Sequence, residues 1–342
     1  MNTRVFKILS EDDERQLSEV ASILRSGGLV GIPTETVYGL AANALDGTAV
    51  KRIFEVKGRP QDNPLIVHIS RFEELAPLVD VVPEKAARLA DAFWPGPLTM
   101  VMKRSDAVPD EVSCGLPTVA VRMPSHKIAN AIIKAAGLPL AAPSANTSGK
   151  PSPTCAAHVL HDMNGKIEGV VDGGNCEVGI ESTVITLCTK TPTLLRPGAV
   201  TLRQLADTIG DVEVHRSVFS DFTETARPAS PGMKYRHYSP KAEVVVVDGA
   251  LGSFIEYVNK QSAGSAVLCF EGEESSFPDA VVFSFGAKED SRAQAQRLYS
   301  ALRKADELKI KRIFARLPDT DGMGTAVCNR LLRAAAFKVV KL

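Results

Sequence analysis

The exchange of short apolar runs with helical patterns constrains this chain more than any other feature. Leu29–Ile32, Leu65–Ile69, Leu98–Met102, Thr118–Val121, Val170–Val171 and Thr183–Leu187 read as strands, rich in β-branched residues and bounded by turn residues. Between them Glu84–Phe93 and Lys127–Ala136 repeat apolar residues at helical spacing. Ahead of the first strand, Ser10 with Asp13 forms a capping-box-like start. Leu17, Val20, Ala21 and Leu24 then line one helix face until Gly27 and Gly28 stop it. A last helix, Leu202–Ile209, closes the unit before Gly210. This interleaving predicts a layered α/β domain with a mixed sheet.

The pattern breaks at Arg227-Pro-Ala-Ser-Pro-Gly-Met-Lys-Tyr-Arg-His-Tyr-Ser-Pro240, which has three prolines, one glycine and no apolar period, as an interdomain segment does. Beyond it, strand-like Val244–Val247, Ala266–Cys269, Val281–Phe283 and Arg312–Ala315 have helical patterns at Leu251–Asn259, Ser291–Leu308 and Thr325–Ala336 between most of them. That is the order of a small doubly wound parallel sheet. The expected division is a first domain over 1–212, a linker over 213–241, and a second domain over 242–342. The length of 342 residues agrees with two domains at roughly 150 residues each.

Composition removes several function classes. Forty Lys and Arg balance forty Asp and Glu, so no global field draws this chain to nucleic acid or membrane. Residues 301–342 carry ten cations against four acids, but 271–290 carry six acids against one lysine and offset them. Met1–Ser10 lacks a signal-peptide core and no apolar run approaches ~20 residues, so a cytoplasmic protein without a membrane span is expected. The six cysteines, Cys114, Cys155, Cys176, Cys188, Cys269 and Cys328, include no C-x-x-C pair and read as small buried hydrophobes. Cys155, His158 and His161 drift around a helix without an obvious fourth ligand, and a surface helix is the better reading. Neither G-x-S-x-G nor H-E-x-x-H occurs, and Gly174–Gly179 is followed by Ile180-Glu181 where a phosphate-binding P-loop needs Lys-Ser/Thr.

The chemistry-bearing residues gather at strand ends. Pro33-Thr-Glu-Thr-Val-Tyr-Gly39 follows the first strand, where α/β sheets commonly bind ligands; a plain polar turn is the competing reading. Lys57-Gly-Arg-Pro-Gln-Asp-Asn-Pro64 sets two cations around a glycine and stiffens them with prolines, an arrangement suited to phosphates. His68 lies opposite Leu65, Val67 and Ile69 on its strand and is either a structural histidine or a ligand. Thr118, Ala120 and Arg122 share a face, leaving room beside a guanidinium that could grip a carboxylate with two hydrogen bonds. Ala141-Ala-Pro-Ser-Ala-Asn-Thr-Ser-Gly149 is small and hydroxyl-rich, a phosphate cradle or a surface loop. Ser182-Thr183 and Leu195-Arg-Pro-Gly198 add hydroxyls and a rigidly held cation. Lys234-Tyr-Arg-His-Tyr238 interleaves cations and aromatics, as single-strand RNA binders or a linker over a ligand would.

Taken in order, Pro33–Gly39, Lys57–Pro60 with Asn63-Pro64, Thr118–Arg122, Pro143–Asn146, Arg196–Gly198 and Ser230–Tyr238 closely resemble the threonylcarbamoyl-AMP synthases. Residues 1 to 212 resemble the YrdC-like catalytic domain, and Gly322–Ala335 resembles the end of the Rossmann-like C-terminal domain of longer members. The resemblance implies an ATP-dependent, Mg2+-assisted reaction of L-threonine with bicarbonate that gives threonylcarbamoyl-adenylate and pyrophosphate. It also implies a functional link to the machinery that makes N6-threonylcarbamoyladenosine at position 37 of tRNA. By position, Thr36, His68, Arg122 and Ser182 would hold threonine, with the backbone at Ala142 closing that pocket. Arg59, Asn63, Thr118, Ser144, Ser152 and Arg196 would hold ATP, with Lys57 and Asn146 in the same motifs. Tyr235 would cap the nucleotide, Tyr238 or His237 being the alternative. Lys57, Arg59 and His68 are the candidate catalytic groups; no metal ligands are assigned.

An N-carboxy-threonine is already an anionic nucleophile, so attack on the α-phosphorus needs alignment and cations more than a strong base, which suits arginines and small turns. The ammonium proton still needs an acceptor, His68 or a water. Two other readings share these residues: a non-catalytic RNA-binding module, and a relative that transfers a carbamoyl group to another acceptor.

Overall fold

A computed structural model describes residues 2–219, 238–261 and 264–342, so Tyr235, His237 and most of the expected linker lie outside the described residues. The first domain is built on an eleven-stranded sheet. Across it run Arg4–Lys7, Gly169–Asp172, Val30–Ile32, Gly39–Asn43, Leu140–Ala141, Ile66–His68, Thr118–Arg122, Leu98–Lys103, Thr183–Thr186, Thr193–Arg196 and Glu213–Val214. Both parallel and antiparallel pairs occur, as expected of a mixed sheet. Strand Glu213–Val214 pairs with Thr193 and Leu194, which carries this sheet past residue 212.

Both faces are covered, which is why the central strands are apolar throughout rather than alternating. On one face the helices Glu14–Arg25 and Lys127–Ala136 bury Leu17, Val20, Leu24, Ile132 and Ile133 against Val30, Ile32 and Val171. On the other, Gly47–Lys57 and Glu84–Phe93 bury Val50, Ile53 and Leu89 against Leu40, Val67 and Val121. Each such side chain taken fully out of water contributes about 1.5–3 kcal/mol.

Two local details differ from the sequence reading. The first helix is capped by Asp13, whose carboxylate accepts from Gln16 N at 3.1 Å, rather than by Ser10. Helix Gly47–Lys57, which the reading did not contain, starts at Asp46, whose carboxylate accepts from Thr48 N and Ala49 N. It ends at Gly58 with φ of 59°, a left-handed turn that redirects the chain so that Arg59 reaches the sheet. Of the cysteines, Cys176, Cys269 and Cys328 are buried as expected, but Cys188 is exposed.

The second domain has five parallel strands in the order Val281–Ser284, Ala266–Cys269, Arg312–Arg316, Glu243–Asp248 and Val339–Lys341. Its helices Ser291–Glu307 and Gly324–Ala334 face the first domain. Val37 and Ile180 from the first domain are buried in one cluster with Leu298, Tyr299, Val327 and Leu331 of the second. Among the described residues no helix is long and apolar enough to cross a membrane.

Candidate active site

A recess opens where the strand ends of the first sheet meet the loops against the second domain. It is lined by Thr34, Thr36, Arg59, His68, Arg122, Ala142, Ser144, Ser182 and Arg196, together with Glu181 and Tyr238. Register explains part of this convergence. His68 and Arg122 are opposite one another on parallel strands, and Arg122 faces Thr99 on its other side. Thr99 Oγ1 then meets Ser182 Oγ at 2.8 Å.

The Pro33–Gly39 turn is locked by its own hydroxyls. Thr34 Oγ1 donates to Val37 O at 2.6 Å and lies 2.9 Å from Thr36 Oγ1, which accepts from Arg122 Nη1 at 2.8 Å. Arg122 does not wait for a carboxylate, because Glu35 Oε1 lies 2.7 Å from its Nη2. Burial opposes the Glu35 charge, but the Arg122 guanidinium outweighs it and holds that carboxyl below the usual range. A substrate carboxylate at Arg122 therefore meets a cation already partly neutralised.

His68 is buried, with Nδ1 3.2 Å from Ile66 O. Burial, reinforced by the Arg122 charge, pulls its pKa down to about 3. The imidazole is neutral at ordinary pH and a weak proton acceptor, which makes His68 a poorer general base than its residue type suggested.

Three segments position the phosphate-type groups. The loop after Leu140–Ala141 is laid against the Pro33–Gly39 turn by backbone bonds from Leu40 N to Pro143 O at 2.7 Å and from Ala145 N to Tyr38 O at 2.8 Å. Lys57 holds the same loop from behind: its Nζ donates to Ser144 O and Asn146 O, both at 2.5 Å. Lys57 is fully buried, burial and Arg59 push its pKa well down, and it does not line the recess, so it acts on the loop and not on a ligand. Arg59 donates to Asn63 O from Nε and Nη2 and to Pro64 O from Nη2; burial lowers its pKa to about 10, which leaves it charged. Arg196 donates to Ser182 O from Nε at 3.0 Å and to Ser182 Oγ from Nη2 at 3.2 Å. This closeness requires Gly198, since a Cβ there would run into the Thr183 backbone.

The remaining candidates are placed outside the lining. Asn63 is buried just behind Arg59, and neither polar atom of its amide has a hydrogen-bond partner among the described residues. Asn146 donates from Nδ2 to Thr147 O and Lys150 O. Ser152 donates to Glu181 Oε1 at 2.5 Å. Thr118 starts the strand that Arg122 ends, roughly 13 Å from Arg122 at ~3.3 Å per residue, and is not among the residues that line the recess.

Two lining groups were underrated by the sequence reading. Glu181 entered it only as a mismatch to a P-loop; it is buried and bonded to Ser152, Tyr299 and Arg330. Tyr238 was a secondary choice for the nucleotide cap. It sits at φ of 65°, its ring 5.6 Å from that of Tyr299 and 5.5 Å from the Arg330 guanidinium. A non-glycine residue held in this region costs about 1–3 kcal/mol, a strain often found at ligand clamps. Among the described residues no cluster of His, Cys, Asp and Glu could hold a metal ion, the Cys155, His158 and His161 set included.

In sum charge, four guanidinium groups, Arg59, Arg122, Arg196 and Arg330, stand at or beside the recess against the carboxylates Glu35 and Glu181. The arrangement favours a polyanion held beside a small polar molecule.

Residues 22–198 match the family model described as "Telomere recombination", of the Sua5, YciO and YrdC proteins. Residues 200–336 match the C-terminal domain of threonylcarbamoyl-AMP synthase. The threonylcarbamoyl-AMP synthase of Pyrococcus abyssi is 45% identical over 99% of this chain and 100% of its own length, and that of Bacillus subtilis is 45% identical over 97% and 96%. The crystal structure of P. abyssi Sua5 complexed with L-threonine superposes with a TM-score of 0.92 at 44% identity, covering 99% of this chain and 100% of that one. With both domains matched in order and full-length relatives this similar, the chain is an enzyme of the threonylcarbamoyl-AMP synthase family.

Proposed function

We propose that this chain joins L-threonine, bicarbonate and ATP into threonylcarbamoyl-AMP within the recess and releases pyrophosphate. The observation that carries the reading is the convergence of Arg59, Arg122 and Arg196 with the hydroxyls of Thr36, Ser144 and Ser182 on one cavity. Threonine nitrogen takes up the carbon of bicarbonate, water leaves, and the ammonium proton passes to solvent, since His68 is too weak a base to hold it. A carbamate oxygen then bonds to the α-phosphorus while the bond to the bridging oxygen of pyrophosphate breaks. Arg59 and Arg196 oppose the charge that builds on the departing phosphates. Thr36, Arg122, Ser182 and the Ala142 backbone seat threonine. Ser144, positioned by Lys57, and the amide of Asn63, which has no hydrogen-bond partner among the described residues, take nucleotide contacts. Tyr238 covers the nucleotide from the side of the second domain.

Mg2+ bound with the triphosphate would supply charge neutralisation there, beside Arg59 and Arg196. The product feeds the enzymes that modify adenosine 37 of tRNA, in the cytoplasm.

The test is pyrophosphate release with each substrate omitted in turn. Release should require threonine as well as bicarbonate, serine should not replace threonine, and Arg196→Ala or Arg59→Ala should raise the KM for ATP by about tenfold or more. Release without threonine would assign a carbamoyl-transferring reaction instead. No release at all, with RNA binding that falls steeply with salt, would assign an RNA-binding module.

A further inference from the structure

Side chains of the second domain hold a carboxylate of the recess lining, Glu181. Glu181 Oε1 accepts from Ser152 Oγ at 2.5 Å and Tyr299 OH at 3.1 Å, while Oε2 accepts from Tyr299 OH at 2.9 Å and Arg330 Nε at 2.7 Å. Arg330 is fully buried, and its Nη2 also donates to Pro197 O at 3.0 Å and Glu181 O at 3.3 Å. One guanidinium from helix Gly324–Ala334 thus bridges the two segments that carry Ser182 and Arg196. Burial works against the Arg330 charge, but the Glu181 carboxylate 2.7 Å from its Nε favours that charge. Burial likewise works against the Glu181 charge, and Arg330 with Arg196 more than offsets it.

We propose that Arg330 is a positioning residue for nucleotide binding: it neutralises Glu181 and so keeps Arg196 directed at the triphosphate rather than at an internal carboxylate. The inference rests on the reading of the recess as the ATP site. Its physical basis is competition for one cation. Glu181 and Arg196 favour each other's charged forms, whereas Arg330 and Arg196 repel. Without Arg330, the carboxylate keeps, among the described residues, the hydroxyl donors Ser152 and Tyr299, and Arg196, which already donates to O and Oγ of the adjoining Ser182, is a guanidinium within electrostatic reach of it. A buried carboxylate that loses its cation recruits another one or becomes protonated. ATP then has to displace Glu181 from Arg196 to bind.

The experiment measures KM for ATP on full-length Arg330→Met, Glu181→Gln, the double variant and Arg196→Ala. Arg330→Met should raise it about tenfold or more, and adding Glu181→Gln should bring it back to within about threefold of the parent. Glu181→Gln alone should lower the KM for ATP, because it removes an anion from the lining of the recess; a purely structural bridge would be weakened by this change as much as by Arg330→Met. If Arg330→Met does not fold, the two variants carrying Glu181→Gln still decide: weakened ATP binding in both overturns the proposal. An unchanged KM in Arg330→Met alongside a raised one in Arg196→Ala would also overturn it, with the ATP site intact. An unchanged KM in Arg196→Ala would instead remove the site reading itself.

Discussion

His68 and Lys57 show how far burial moves a side chain from the role its type suggests. Both are titratable, both stand beside the recess, and desolvation pushes both toward their neutral forms. For His68 this has a consequence for stability. Its pKa falls from an ordinary value near 6.5 to about 3 in the folded chain. Between those values the unfolded chain binds the proton that the folded one refuses, so stability drops as pH falls through that window, by about 1.4 kcal/mol per pH unit for this one group. His68→Gln should therefore flatten the dependence: the loss in unfolding free energy from pH 7 to pH 4.5, measured by denaturant titration, should shrink by about 2 kcal/mol. An unaltered loss would show that His68 titrates normally. The sequence could place His68 on the correct face of its strand by alternation alone. It could not show that Arg122 on the adjacent strand would stand beside it, nor that Glu35 would already occupy that arginine.

At the scale of elements, helix Ser291–Glu307 forms one wall behind the recess. Tyr299 reaches Glu181, Arg303 Nη2 donates to Pro151 O at 2.6 Å and pairs with Asp162 at 3.0 Å, and Ser300 meets Thr154 at 3.3 Å. Contact this close depends on Gly179, at φ of 82°, where a Cβ would lie 2.5 Å from the Gln296 backbone. Gly179→Ala should cost about 1–3 kcal/mol through backbone strain and the forced retreat of the helix. It should appear as a lower unfolding temperature and, since Ile180 and Glu181 follow directly, as weaker ATP binding. An unchanged unfolding temperature would mean that the helix does not press on this turn. The helix itself was legible from its helical pattern over Ser291–Leu308; its cap, Asp290 accepting from Ala293 N at 2.9 Å, is a finding of the structure. Helix Gly47–Lys57 was not legible, because it begins with Gly47 and Thr48, both weak helix formers.

For the molecule as a whole, the two domains share a buried cluster and a charged network rather than a tether alone. A chain ending at Pro240 would expose Val37 and Ile180 and leave Glu181 without Arg330 or Tyr299. Calorimetric titration with ATP should find it a weaker binder than the full chain, with part of the loss recovered by Glu181→Gln; equal affinity would make the second domain an accessory to binding. Sequence periodicity sufficed for the α/β class, the parallel second sheet and the strand ends that carry hydroxyls and cations, because those follow from local spacing along one strand or helix. It could not indicate that Lys57 turns to carbonyls 87 and 89 residues away, or that Glu181 finds its cation 149 residues on. Such partners are chosen when separate elements dock, and what each buried charge then becomes depends on the neighbour it meets there, which no local pattern records.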